Sequence, residues 1–397
     1  MRPASVAWLV VVVVAAVLSG GALAGGGPGG GQFGYGPHVR EARAVLACAP
    51  WARKVARYRS CLEDHFLQLI EQTHDPADEL PRIDAYAHSA GGWLPANCHI
   101  MMHNVGRRYA IAEHVTLENL LHYLPKSNDP GCSAGFAHGL LIALGPQVMK
   151  MGPKGAVAEC AKASTRYQRY SCVHGLGHAY ARIYMDYPDP ALAACKLLGP
   201  ADAPDCAQGV FHDYWIAVDG LDATHRHSGM TTSPRVLCGR YGGGFARACW
   251  YRAWLEHPPR RPVDSAAAIL AVCAGLQGLQ QKACITGASL IRSNDPLVQM
   301  ASCARLPARF EVACARGAQI PAVALSPAAY QFGLISACAA YAPTARYGCY
   351  WWLGKGLNVV TNGRFGRRGC ARLPTPVARN ACTVGAASYQ EPLVTFS

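Results

Sequence analysis

The chain has 397 residues and a formal net charge of +13 at pH 7, and 15% of its residues are charged, against roughly 25% in an average globular domain. Its basic doublets lack the interleaved aromatic residues of a single-strand channel, which argues against nucleic acid as a partner. These doublets are Arg53-Lys54, Arg107-Arg108, Arg260-Arg261 and Arg367-Arg368. A basic surface suits an anionic cell-envelope partner, or it serves solubility alone and has no specific partner. An unknown protein is the other candidate partner.

The first 24 residues have the three-part layout of a secretory signal peptide. Arg2 precedes an apolar run over 6–18, and Ala22-Leu23-Ala24 resembles a cleavage site. A membrane anchor is the alternative, but the run is shorter than the roughly 20 residues that cross a bilayer. We expect cleavage after residues 1–24, a Gly-rich linker over 25–37, and a secreted protein, extracellular or periplasmic, without a transmembrane span.

Eighteen cysteines follow at regular spacing, which predicts local disulfides in an exported chain. Seven pairs lie 11 or 12 residues apart: Cys160/Cys172, Cys195/Cys206, Cys238/Cys249, Cys273/Cys284, Cys303/Cys314, Cys338/Cys349 and Cys370/Cys382. Cys48/Cys61 is a looser copy. Cys98 and Cys132 have no such local partner, and two interpretations stay open. They form a bridge between neighbouring units, or they are thiolates beside His99 and His138 that bind zinc or copper(I).

The second cysteines of the pairs recur every 30 to 43 residues or so, a period typical of stacked two-helix units. The sequence predicts an all-α fold of tandem helix-hairpin repeats, with about 9–10 units of roughly 35 residues. A local disulfide is expected to link the two helices of each unit. The units form an α-solenoid or an α/α toroid within a single domain over 38–397. This domain has a histidine-rich half over about 60–230 and a histidine-poor half over about 231–397.

Within a unit we expect the two cysteines near the end of the first helix and the start of the second, with Asp205 capping a helix that begins at Cys206. A glycine stands three residues after the second cysteine in six units: Gly135, Gly175, Gly209, Gly287, Gly317 and Gly385. Glycine costs stability inside a helix, so its recurrence predicts close contact between the backbones of successive second helices. The arrangement resembles tetratricopeptide and Sel1-like solenoids in architecture, but it lacks the tetratricopeptide residue pattern.

Histidines occupy one register of this repeat in its N-terminal half. His138, His178 and His212 each follow the second cysteine of their unit by six residues, and His103 follows by five. Later units hold other residues there: Leu255, Leu290, Ile320, Lys355 and Ser388. The scaffold therefore does not require histidine at this register, and the second helices are expected to bring the four rings together.

Two units add another histidine one helical turn earlier, because His99/His103 and His174/His178 are both spaced i, i+4. Such pairs are good chelators of zinc or copper. The six candidate ligands are His99, His103, His138, His174, His178 and His212. They exceed the four ligands of a tetrahedral site. Either two ions bind, or some of the rings do not bind the ion and instead orient the ligand rings by hydrogen bonds.

The sequence favours a secreted helical-repeat protein that binds or sequesters a transition metal, or a metal-containing ligand, through a histidine cluster on its inner helices. One alternative is an extracellular interaction scaffold in which the histidines are hydrogen-bonded packing residues. Another is a metal-dependent hydrolase or oxidase, for which Asp213 beside His212 is the nearest carboxylate. The chain contains neither HExxH nor CxxCH, so it has no zincin motif and no motif for covalent haem.

Overall fold

The computed structural model describes residues 39–387, apart from 74, 91–92, 126–130, 220–228, 258–262, 264, 290–295, 326 and 361–365. The expected signal peptide over 1–24 and linker over 25–37 lie outside these residues. The described segments are helical and contain no β-strand. The prediction of an all-α fold is therefore confirmed.

Twenty α-helices and one short 3-10 helix, Ala49–Trp51, make up the described chain. The α-helices are α1 Val39–Cys48, α2 Val55–Thr73, α3 Pro76–Ala90, α4 Trp93–Ala112, α5 Leu120–Tyr123, α6 Cys132–Ala143, α7 Gly145–Cys160, α8 Arg166–Ile183, α9 Pro188–Lys196, α10 Ala203–Val218, α11 Pro234–Cys238, α12 Gly243–Glu256, α13 Ala266–Val272, α14 Gly278–Ala288, α15 Pro296–Cys303, α16 Ala308–Leu325, α17 Pro327–Ala339, α18 Pro343–Val360, α19 Gly366–Cys370 and α20 Pro376–Ala387.

The even-numbered helices pack on one another in chain order. Helix α2 contacts α4, α4 contacts α6, and the series continues to α20, while most odd-numbered helices contact the even-numbered helix that follows them. Large side chains on the even-numbered helices are buried in the core, among them Phe66, Phe136, Phe211 and Trp250. As a result, residues at one register of successive even-numbered helices become neighbours in space.

All eighteen cysteines form disulfides, and the eight predicted local pairs are confirmed. Each local bridge joins an odd-numbered helix, or the residue just after it, to the next even-numbered helix. Cys98 and Cys132 are bridged to each other and link α4 to α6, so the thiolate interpretation is wrong. Nine disulfides agree with an oxidising compartment.

The second cysteine does not begin the second helix as expected. In α8, for example, Arg166 begins the helix and Cys172 lies six residues further on. In the unit that contains Cys206, α10 begins at Ala203. The link between the two helices is shorter than the spacing of the cysteines: five residues separate α7 from α8 and six separate α9 from α10, whereas the paired cysteines lie 12 and 11 residues apart.

No single described helix is both long and apolar enough to cross a bilayer. Helices α6 and α7 reach the required length and apolarity only when taken together, and their axes meet at an angle of 91°. Helix α6 lies in the protein core, where ten of its residues are buried.

Gly135 lies where α6 crosses α4. A Cβ atom at this position would overlap with the main-chain carbonyl of His99, and one at Gly209 would overlap with the carbonyl of His174. The predicted close contact between second helices is confirmed at both positions. These glycines let histidines on neighbouring helices approach one another.

Gly135→Ala is expected to lower the free energy of unfolding by about 1–3 kcal/mol, because α4 and α6 must move apart to admit the methyl group. Gly348→Ala in α18 is the matched control, since no atom lies within 4 Å of its Cβ position. The control should instead gain up to about 1 kcal/mol from helix propensity. Denaturant titration measures both values, and an unchanged Gly135→Ala protein would contradict the helix contact.

Asp205 does not cap α10. Asp202 is the N-cap residue, without a side-chain cap hydrogen bond, and Asp205 lies inside the first turn. Burial raises the pKa of the Asp205 carboxyl to about 7; the charge of Asp202 adds to this effect and a hydrogen bond from Gln208 opposes it. Ionised Asp205 therefore destabilises the folded protein.

The protonated carboxyl of Asp205 contributes fully to the free energy of unfolding below its unfolded-state pKa of about 4. This contribution is lost as the pH rises through the folded-state pKa of about 7. We expect Asp205→Asn to match the wild type at pH 4 and to be more stable by about 1–3 kcal/mol at pH 8. Denaturant titration across this range, with the disulfides intact, measures the difference. Asp64→Asn, at an exposed carboxylate, is the control. A difference that stays constant with pH would contradict the assignment to Asp205.

Candidate metal centre

The six predicted histidines lie together in the core and are named the histidine cluster. Helix α4 supplies His99 and His103, α6 supplies His138, α8 supplies His174 and His178, and α10 supplies His212. Centroid distances between rings in contact range from 4.4 to 6.2 Å. His99 is half-buried, and the other five rings are at most 7% exposed. The convergence expected from the register is therefore confirmed.

The even-numbered helices curve around the cluster. The ring of His138 stacks on those of His174 and His178 from the adjacent helix, at 4.4 and 4.7 Å. The rings of His99 and His212 lie 5.1 Å apart although α4 and α10 are separated in the series by α6 and α8. Four helices thus bring their imidazoles into contact in one cluster.

Donor atoms converge in three overlapping groups, each with all its donors within 4.8 Å of one another. The groups are His99/His103/His138/His212, His138/His174/His178/His212 and His103/His178/Asp213. His138 and His212 belong to both four-histidine groups. A tetrahedral ion takes four nitrogens at about 2.0–2.1 Å, so the cluster offers more donors than one ion can use.

Oxygen atoms lie close to one nitrogen of each of three rings, and the contact to His99 has the geometry of a hydrogen bond, whereas those to His178 and His212 do not. His99 Nδ1 lies 3.1 Å from the carbonyl oxygen of Gly131, His178 Nδ1 lies 3.3 Å from Asp213 Oδ1, and His212 Nε2 lies 3.1 Å from Glu256 Oε1. An acceptor at one nitrogen keeps the proton there and leaves the lone pair on the other. This is the arrangement by which proteins orient metal-binding histidines.

Several buried ring nitrogens have no hydrogen-bond partner within the described residues. They are His103 Nε2, His138 Nδ1, His174 Nδ1, His178 Nδ1, His212 Nδ1 and His212 Nε2. In addition, His174 Nε2 and His178 Nε2 lie only 3.1 Å apart, close to the edge of a tetrahedron around a metal ion, about 3.3 Å. Buried polar atoms without partners are costly, and a metal ion would satisfy them.

Burial keeps the imidazoles neutral. It is the largest cause that lowers the pKa of His103, His138, His174 and His212 well below the ordinary value, and neighbouring imidazoles or Arg252 add to it. Burial also lowers the pKa of His178, against the opposing charge of Asp213. Neutral imidazole is the form that binds a metal.

Three charged residues at the cluster were missed by the sequence reasoning. Arg182 donates to both oxygens of Asp213, at 3.0 and 3.1 Å. Burial alone would raise the pKa of this carboxyl, but the guanidinium and His178 hold it at about 2. Asp213 is therefore a buried, ion-paired carboxylate.

The other two missed residues, Arg252 and Glu256, come from α12 in the histidine-poor half. Arg252 Nη1 lies 3.2 Å from Glu256 Oε1, and Arg252 Nη2 lies 3.4 Å from His174 Nε2. Their i, i+4 spacing is common on helices and gave no signal of a site.

Cys48, Cys61 and His65 form one further group of potential donors. The two sulfurs are joined in a disulfide and cannot bind a metal as thiolates. This group is therefore no candidate site in the oxidised protein.

Comparison of the chain with protein-family models, with curated proteins and with solved structures finds no match in any of the three.

Proposed function

We propose that the protein binds a transition metal ion, copper or zinc, through the histidine cluster and carries or sequesters it. The observation that supports this most directly is the state of the ring nitrogens. The carbonyl oxygen of Gly131 accepts a hydrogen bond at His99, and carboxylates lie near His178 and His212, while six buried nitrogens on five rings have no hydrogen-bond partner among the described residues. Neutral imidazoles in this arrangement suit copper and zinc.

The scaffold proposed for this function is a solenoid of helix pairs over 38–397, with the even-numbered helices on its inner side. Their contacts in chain order and the local disulfides support it. We further propose that the protein is exported after removal of residues 1–24, in accordance with its nine disulfides. An unknown protein or an anionic envelope component would be its partner.

The two alternative functions have less support. In an interaction scaffold without metal, buried histidines would be expected to find hydrogen-bond partners, and several here do not. A hydrolase would need a carboxylate that acts as a general base near neutral pH. Asp213 is held by Arg182 and its pKa is about 2, so it is a poor base.

Elemental analysis tests the proposal. The full chain would be purified from an oxidising compartment without a histidine tag, and we expect about one or two equivalents of copper or zinc per chain. His178→Ala should reduce this content, whereas His122→Ala outside the cluster should not. A content below about 0.2 equivalents that His178→Ala leaves unchanged would reject metal binding.

A further inference from the structure

We infer that the histidine cluster is built for monovalent copper rather than for zinc or another divalent ion. The inference rests on the proposed function and adds the charge of the ion that the site selects. It follows from the charges around the cluster and from the type of donor.

The fixed charges around the cluster cancel in pairs. Arg182 on α8 pairs with Asp213 on α10, and Arg252 pairs with Glu256 on α12. Arg59 lies on α2, and its positive charge acts on His103. Arg59 pairs with Glu63 at 2.8 Å. Three guanidinium groups thus face three carboxylates, and the sum of these charges is zero.

The donors of the two four-histidine groups add no negative charge. The ligand imidazoles are neutral, and every cysteine is bridged, so no thiolate is present. The charge of a bound ion therefore stays uncompensated in a buried site. Because the cost of burying charge rises with its square, a monovalent ion costs about one quarter as much as a divalent ion of similar size.

Arg252 strengthens this selection. Its guanidinium is 7% exposed and lies 3.4 Å from His174 Nε2, which places a positive charge beside a donor nitrogen. The repulsion between this charge and an incoming ion is twice as large for a divalent ion as for a monovalent one. Neutral imidazole ligands still suit copper, and a filled d shell imposes no geometry on monovalent copper, just as on zinc.

Two charge variants test the inference, with copper(I) affinity measured under anaerobic conditions against bicinchoninate and zinc affinity measured against a chromophoric chelator. Arg252→Met gives the site a net charge of −1 and should raise zinc affinity relative to copper(I) affinity by about tenfold or more. Glu256→Gln gives a net charge of +1 and should shift the ratio in the opposite direction by a similar factor. Wild-type protein should bind copper(I) more tightly than zinc.

Arg169→Met is the control, because it removes a guanidinium from an exposed pair with Asp202, and it should leave the affinity ratio unchanged. Glu256→Gln is nearly isosteric and keeps the test valid if Arg252→Met does not fold. An unchanged ratio in the folded charge variants, or tighter binding of zinc by the wild type, would overturn the selection of monovalent copper. Absence of binding of either ion to the wild type would instead reject the proposed function.

Discussion

His138→Asn is expected to lower the metal affinity of the protein by at least about 100-fold, for copper and zinc alike. His138 belongs to both four-histidine groups, and its ring contacts those of His99, His103, His174 and His178. Loss of this one ring therefore removes a ligand from either group. Competition against a chromophoric chelator measures the affinity of the purified full chain.

His122→Asn is the matched control for this variant, because His122 lies on α5 against Tyr123 and outside the donor groups. Its metal affinity should equal that of the wild type. His99→Asn and His174→Asn each affect only one four-histidine group, and we expect a smaller loss from either. Equal affinities for His138→Asn and wild-type protein would show that the ring of His138 is not a ligand.

The double variant Cys98→Ser/Cys132→Ser is expected to lose about 4 kcal/mol of stability and about tenfold in metal affinity. This disulfide spans 34 residues, whereas the other eight span 11 to 13. Its removal releases more conformational entropy in the unfolded chain. Its removal also breaks the covalent link between α4 and α6 next to His99. Thermal denaturation and metal competition measure the two effects.

Cys370→Ser/Cys382→Ser is the matched control for this second variant. Its disulfide spans 12 residues and joins α19 to α20, which carry none of the six histidines. This change should cost about 3 kcal/mol in stability and leave the metal affinity as in the wild type. If the Cys98/Cys132 variant keeps full affinity, helix packing alone holds α4 and α6 in register.

The sequence predicted the local features of the fold well. Cysteines 11 to 13 residues apart identified helix pairs, and glycines at one register identified the helix contacts, as Gly135 against His99 shows. The start of α10 was predicted too late, at Cys206 instead of Ala203. Several residue types suit the first turn of a helix, so composition located this boundary only approximately.

The repeat register also predicted which histidines would meet, because side chains at one position of stacked helices become neighbours. It did not predict the charged residues beside them. Arg252 lies 78 residues from His174 along the chain, on a helix without histidine. Its position depends on how far the series of even-numbered helices turns between α8 and α12.

Spacing along the chain was thus enough to predict the helices, their disulfides and the six candidate ligands, since each depends on contacts within one unit or between neighbouring units. The three-dimensional arrangement alone brought α12 next to α8. It also paired Arg182 with Asp213 and Arg252 with Glu256. The contact between α8 and α12 joins two helices that α10 separates in the series, so the residues of one helix pair do not reveal it.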